Sequence, residues 1–211
     1  MEDILDRIGE LGVVPVVVVD DVAQAELLAD ALVAGGLPVA EITFRTAAGA
    51  AAIKAVAARG DVLVGAGTVL TPEQVDAAVD AGAQFIVSPG ISRAVVERAQ
   101  QRGVLPLPGA VTATEIQVAL EMGLTTVKFF PASTSGGPAA IKALAAPFRQ
   151  VSFVPTGGVS LANLGDYLSL PSVAAVGGSW MVKADLVRTG DSAALTNLAA
   201  EAVAAAKAIR A

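Results

Sequence analysis

The sequence predicts an α/β fold, a single TIM-type (β/α)8 barrel with an extra N-terminal helix spanning residues 1–211, and three observations predict it. Short apolar runs recur about every 20 to 25 residues, each followed by Gly, Ser, Thr or Pro and then by an Ala- and Leu-rich stretch of helical period. Eight such runs in one chain favour a closed barrel over a doubly wound sheet, which usually needs fewer parallel strands and a topological switch point. The composition, 54% hydrophobic with 21 glycines and few aromatic residues, suits Ala/Val/Leu helices packed on Val/Ile strands buried on both faces. At 211 residues the chain can bury one substantial core, two ordinary domains would be cramped, and no linker or low-complexity tract divides it.

Taken in order, the opening segment places Ile4, Leu5, Ile8 and Leu11 at helical spacing, which suits either a plug for the barrel floor or a surface helix. Strands are expected at 13–19, 39–44, 63–66, 85–87, 105–107, 126–130, 153–155 and 173–176. Helix signals fill the gaps. Asp20 or Asp21 can cap a helix ending near Gly35, and Thr71-Pro72-Glu73-Gln74 reads as a capping box with Pro at the first helical position and Gly82 as its stop. Thr112 with Glu115 forms a second box before a helix ended by Gly123, and Ser160 can cap a short helix after Thr156-Gly157-Gly158.

Composition narrows the chemistry. Without cysteine or histidine there is no disulfide, thiolate, imidazole ligand or His base, so only carboxylates, lysines, arginines, hydroxyls and backbone groups remain to act. His-rich zinc or iron catalysis is not expected, while composition leaves a carboxylate-bound Mg2+ open. A net charge of -6 with no long basic cluster points away from nucleic acid and anionic membranes and toward a small-molecule substrate. No apolar run approaches the roughly 20 residues of a membrane span, and residues 1–12, with Glu2, Asp3, Asp6 and Glu10, lack the features of a signal peptide. The expected setting is cytoplasmic, with no membrane partner.

In a β/α barrel the active site lies where strands end and loops begin. Alternation along 39–46 points Glu41, Thr43 and Arg45 to one face, which puts a carboxylate and a guanidinium in a shared pocket if that face is the interior, and otherwise makes them a structural ion pair or a solvent-facing strand end. Lys128 places one amine in the buried-strand run Thr126-Val127-Lys128-Phe129-Phe130. Lysine is seldom buried, and taking an amine out of water favours the neutral form that attacks a ketone; the alternative is a side chain snorkelling to the strand end. The turns Thr156-Gly157-Gly158 and Gly177-Gly178-Ser179 follow strands seven and eight, where barrels commonly bind phosphate through backbone N–H groups, though either could be a tight turn needing positive φ.

With these residues in hand, the sequence closely resembles the 2-keto-3-deoxy-6-phosphogluconate aldolases, which also act on 4-hydroxy-2-oxoglutarate. The resemblance runs almost end to end through Val14-Pro15-Val16-Val17, Glu41-Ile42-Thr43-Phe44-Arg45-Thr46, Gly65-Ala66-Gly67-Thr68-Val69, Ser88-Pro89-Gly90, Lys128-Phe129-Phe130-Pro131-Ala132, Pro155-Thr156-Gly157-Gly158 and Gly177-Gly178-Ser179-Trp180. It implies a Schiff-base lyase that forms pyruvate and glyceraldehyde 3-phosphate, as a homotrimer, with no metal and no organic cofactor. It also implies roles: Lys128 as the Schiff-base lysine, Glu41 as the general acid/base, and Arg45 with Thr68 on the pyruvate carboxylate. The phosphate would meet Thr156, Gly157, Gly158, Gly178 and Ser179, and Pro89 and Phe130 would form the pocket wall. Strand parity allows only one of Phe129 and Phe130 to face inward. Ser133-Thr134-Ser135 and Gly109-Ala110-Val111 depart from the family pattern.

Two rival readings keep the fold. One is a sugar-phosphate isomerase or epimerase using Glu41 without covalent catalysis, and the other a noncatalytic binding module.

Overall fold

Seven of the eight strands are buried along their whole length and the other has a single half-buried residue, which is why they read as nearly unbroken apolar runs. The structure, a computed structural model, describes residues 2–211. Its elements run α1 (Glu2–Leu11), β1 (Val13–Val17), α2 (Val22–Ala34), β2 (Val39–Thr43), α3 (Gly49–Arg59), β3 (Leu63–Gly67), α4 (Pro72–Asp80), β4 (Phe85–Ser88), α5 (Arg93–Gln101) and β5 (Leu105–Pro108). They continue with α6 (Ala113–Glu121), β6 (Thr126–Phe129), α7 (Gly137–Ala145), β7 (Ser152–Pro155), a 3-10 turn (Leu161–Asn163), α8 (Leu164–Leu168), β8 (Val176–Gly178), α9 (Ala184–Thr189) and α10 (Ser192–Arg210).

All strand pairs are parallel, in a six-stranded sheet of order β5-β4-β3-β2-β1-β8 and a two-stranded sheet β6-β7. Single parallel bridges join the two pieces, Gly109 to Lys128 on one side and Thr156 to Gly177 on the other. The strands therefore curl in the TIM-like manner, with their carboxyl ends and the loops that follow them gathered on one side. On the outer face of the strands, beneath the helices, Phe129 and Phe153 stack edge to face at 6.3 Å between ring centres.

Several expected boundaries move, each for a hydrogen-bonding reason. The first strand stops at Val17 rather than 19 because side-chain hydroxyls replace the ladder: Thr43 Oγ1 donates to the Val17 carbonyl at 2.9 Å and Thr46 Oγ1 to the Val19 carbonyl at 2.6 Å. The eighth strand lies at Val176–Gly178, not 173–176. Val173 makes only a bridge to Phe153, and the chain then crosses to β1, where Val13, Val14 and Pro15 pair with Val176, Gly177 and Gly178. Two glycines make a poor strand by propensity, and tertiary pairing overrides it. The Thr71 cap also differs. Its hydroxyl accepts from the Gln74 amide as expected, but Gln74 Oε1 accepts from Leu70 N at 2.7 Å and so misses the cap residue's own amide, whereas the Thr112–Glu115 box is complete.

Helix packing depends on small side chains. Along α10 the buried positions are Leu195, Ala199, Ala202 and Ala206, and a Cβ at Gly35, after α2, would lie only 2.6 Å from the Ala199 Cβ. Arg210, near the end of α10, donates to the carbonyls of Gly9 and Ala174, and burial holds its guanidinium below its usual range. On α1 Ile8 is buried, with Ile4, Leu5 and Leu11 packed partly behind it. Burying one such side chain contributes roughly 2 kcal/mol.

An ionic network clips α4 to α5, with Arg98 gripping both oxygens of Asp76 at 2.9 Å and Arg102 bridging Asp76 and Asp80. The guanidinium of Arg98, then that of Arg102, holds the Asp76 carboxyl below the usual carboxylate range. A depressed folded value means the contribution is present above the unfolded value of 3.8 and is lost as pH falls through the folded one. Asp76→Asn is thus expected to melt below the parent chain at neutral pH and to converge with it in acid, as thermal melts across pH 7 to 3 would report; a gap constant with pH would show that charge plays no part.

Candidate active site

Strand alternation delivers the two central groups. On β2, Glu41 and Thr43 point inward and are 4% and 1% exposed, and on β6 Lys128 points inward, 6% exposed, while Phe129 packs the other way into the core. Although β2 and β6 share no ladder, Lys128 Nζ donates to Glu41 Oε1 at 3.1 Å, a buried contact between residues 87 apart in sequence. Each charge compensates the other, since an isolated buried ion would be far costlier than a pair. Gly67 makes room for the pair: a Cβ there would run into the Glu41 carboxylate.

Above this pair lies a cavity of about 630 Å³, within the range typical of small-molecule sites. Arg45, Phe130, Thr156, Gly157, Gly158, Gly178 and Ser179 line it, so seven of the expected site residues share one wall system. Lys128 and Glu41 line a separate void beneath, with about 10 Å³ of free space, and Thr156 belongs to both. Lys128 Nζ sits 5.3 Å from the Phe130 ring centre, which makes Phe130 the inward-facing aromatic of the pair.

The remaining expected residues fall around the rim. Arg45 Nε donates to Thr68 Oγ1 at 3.3 Å, which brings the two together, although Thr68 itself does not line the cavity. Thr68 carries a φ of 58°, the one positive value at a non-glycine among the described residues, a conformation that surrounding structure must impose. Pro89 is not on the cavity wall. Its carbonyl lies where a Cβ on Gly109 would have to go, and the loop is turned aside there as Ser88 Oγ donates to the Gly90 carbonyl at 2.8 Å.

The turn after β7 is braced by the loop after β6. Ala132 and Ser133 donate backbone N–H groups to the Thr156 and Gly157 carbonyls, at 2.8 and 3.0 Å. Gly157 and Gly158 adopt φ of 95° and 77°, and a Cβ on Gly158 would strike the Ser133 hydroxyl. One of the segments that departs from the family pattern therefore abuts this turn. The Trp180 ring covers Gly178, and among the described residues its Nε1 is the one buried side-chain polar atom without a hydrogen-bond partner.

Seven further lining residues were not singled out from sequence: Val16, Val18, Val159, Trp180, Val182, Lys183 and Ala184. Trp180 stood inside a recognised motif, and Lys183 was signalled only as the first cation after strand eight. Arg45 and Lys183 are the two ionisable residues on the cavity wall. A cavity with two cations and no carboxylate, in a chain of net charge -6, is suited to an anion with more than one charged group.

The sequence matches the KDPG and KHG aldolase family over residues 4–198. It is 49% identical over 199 residues to the 2-dehydro-3-deoxy-phosphogluconate aldolase of Treponema pallidum, covering 94% of this chain and 95% of the relative. Its fold is similar to the 2-keto-3-deoxy-6-phosphogluconate aldolase of Zymomonas mobilis crystallised with 3-phosphoglycerate, with a TM-score of 0.90 at 43% identity and 95% of each chain covered. It is also similar to the KDPG aldolase of Legionella pneumophila with pyruvate captured as a covalent carbinolamine, with a TM-score of 0.87 at 40% identity, covering 90% of this chain and 92% of that one.

The contact between Gly67 and Glu41 is open to a double-mutant cycle. Gly67→Ala should cost about 1–3 kcal/mol of stability through overpacking. In a Glu41→Asp background, where the carboxylate is withdrawn by one methylene, the cost should shrink by at least about 0.5 kcal/mol. Denaturant midpoints of the four chains measure this, and strictly additive losses would mean that the two groups do not meet.

Proposed function

The chain belongs to the KDPG and KHG aldolase family, and on that premise we propose that Lys128 and Glu41 carry out its class I aldol cleavage. The substrate is 2-keto-3-deoxy-6-phosphogluconate, split to pyruvate and glyceraldehyde 3-phosphate, and 4-hydroxy-2-oxoglutarate is split in the same way to pyruvate and glyoxylate. The observation that carries the reading is the buried Lys128–Glu41 contact at 3.1 Å beneath a cavity lined by two cations.

Glu41 takes a proton from the Lys128 ammonium, the freed amine adds to the C2 ketone, and Glu41 returns that proton to the developing alkoxide. A second proton, moved through Glu41 from nitrogen to the hydroxyl, lets water leave and gives a protonated imine. Glu41 then takes the C4 hydroxyl proton, C4 departs as an aldehyde, and the C3–C4 bonding electrons enter the imine to form an enamine. Protonation of C3 by Glu41 and attack of water on the imine return pyruvate and the free amine. Arg45 suits the carboxylate of the pyruvate half, because a guanidinium can bind it through two N–H groups, and Thr68 adjoins it. At the other end Thr156, Gly157, Gly158, Gly178 and Ser179 hold the phosphate, and Phe130 forms the wall over the imine. The solved Legionella relative, with its pyruvate carbinolamine, supports the covalent route. The isomerase reading lacks comparable support.

The same reading extends to the whole molecule. The bridges Gly109–Lys128 and Thr156–Gly177 bring the two sheet pieces together at both edges, in keeping with one closed (β/α)8 domain over residues 1–211. In this barrel α1 is an extra helix, and its Ile8 seals the floor below Glu41 and Lys128. No described helix is long and apolar enough to cross a membrane. A homotrimer is what the family resemblance implies, and sedimentation would test the assembly.

Incubation with pyruvate and borohydride should leave a reduced pyruvate adduct on Lys128, located by peptide mass mapping. Glu41→Gln should lower kcat by about 10²- to 10⁴-fold, the usual range for loss of a general acid/base. A folded chain that binds pyruvate yet gives no adduct would overturn the Schiff-base route.

A further inference from the structure

We infer that Lys183 is a specificity residue of this site, one that biases the enzyme toward phosphorylated over unphosphorylated 2-keto acids. The inference rests on the functional reading above and goes beyond it, because the phosphate turns of that reading are otherwise neutral: Thr156, Gly157, Gly158, Gly178 and Ser179 bring backbone amides and hydroxyls but no charge. Lys183 follows β8 and stands at the N-cap position of α9, where its side chain makes no capping hydrogen bond. It lines the same cavity as those turns, and it is exposed.

Its charge is unspent within the fold. Among the described residues Lys183 takes part in no ion pair. The nearest acidic side chain along its own element is Asp185, in the first turn of α9, and Asp185 is not on the cavity wall. The other cation there, Arg45, belongs to the loop after β2 and is tied to Thr68. The two cations thus mark different strand ends, one suited to a carboxylate and one to a phosphate dianion. An ammonium on a flexible stem can follow a phosphate without fixed geometry, and it attracts the phosphate dianion more strongly than the single carboxylate at the glyoxylate end of 4-hydroxy-2-oxoglutarate.

The test is the ratio of kcat/KM for 2-keto-3-deoxy-6-phosphogluconate to that for 4-hydroxy-2-oxoglutarate. In Lys183→Gln this ratio should fall roughly fivefold, the upper end for one exposed ion pair, and the change should sit in KM for the phosphorylated substrate. Lys183→Arg should restore it, and added salt should lower the parent ratio more than that of the Gln variant. An unaltered ratio, or equal losses on both substrates, would overturn the inference and leave Lys183 an exposed residue of the cavity rim with no part in substrate choice. A parent chain that cleaves neither acid would instead remove the functional reading itself.

Discussion

The buried pair between Lys128 and Glu41 sets the terms for the rest of this molecule. Two opposite charges removed from water are tolerated only when each has the other close by, and here the partners come from strands that share no hydrogen-bonded ladder. Their meeting demands that β2 and β6 face each other across the interior at a fixed distance. It also demands that β3 yield space, which Gly67 does beside the carboxylate. Behind the amine, Phe129 is wedged edge to face on Phe153, so the strand that carries Lys128 has little freedom to rotate. The buried amine is thus held in place by packing on the far face of its own strand.

The site has a vertical division of labour. Beneath, the void around Lys128 and Glu41 is closed and small; above, the cavity is open and bears the cations. Thr156 belongs to both levels and sits against Gly177, where any side chain would collide with it. That contact explains why glycine occupies the strand position opposite Thr156 despite the loss of strand propensity. The loop after β6 braces the turn after β7 through two backbone hydrogen bonds, so the lysine strand and the Gly157-Gly158 turn are positioned together.

The helices serve this arrangement through small residues. Ala199, Ala202 and Ala206 are buried along α10, and Gly35 lets the end of α2 approach that helix closely. The abundance of alanine in the helices thus has a packing consequence. At the opposite end from the cavity, α1 brings Ile8 to the void below the ion pair, and Arg210 ties the α1 carbonyl of Gly9 to the end of α10.

Local pattern alone determined a good deal. Alternation identified which residues of β2 and β6 share a face, capping chemistry located the starts of α2, α4, α6 and the 3-10 turn, and the odd amine and carboxylate in apolar strands singled out Lys128 and Glu41. These are readable because burial and side-chain direction repeat with a period of two or 3.6 residues over a few neighbours. Only the tertiary structure decided that those two groups touch across 87 residues, that the last strand begins at Val176, that Pro89 turns away from the cavity and that Lys183 reaches it. Each of these depends on sheet curvature and on which backbone groups find partners from distant strands, and such long-range pairing leaves no periodic trace in the local sequence.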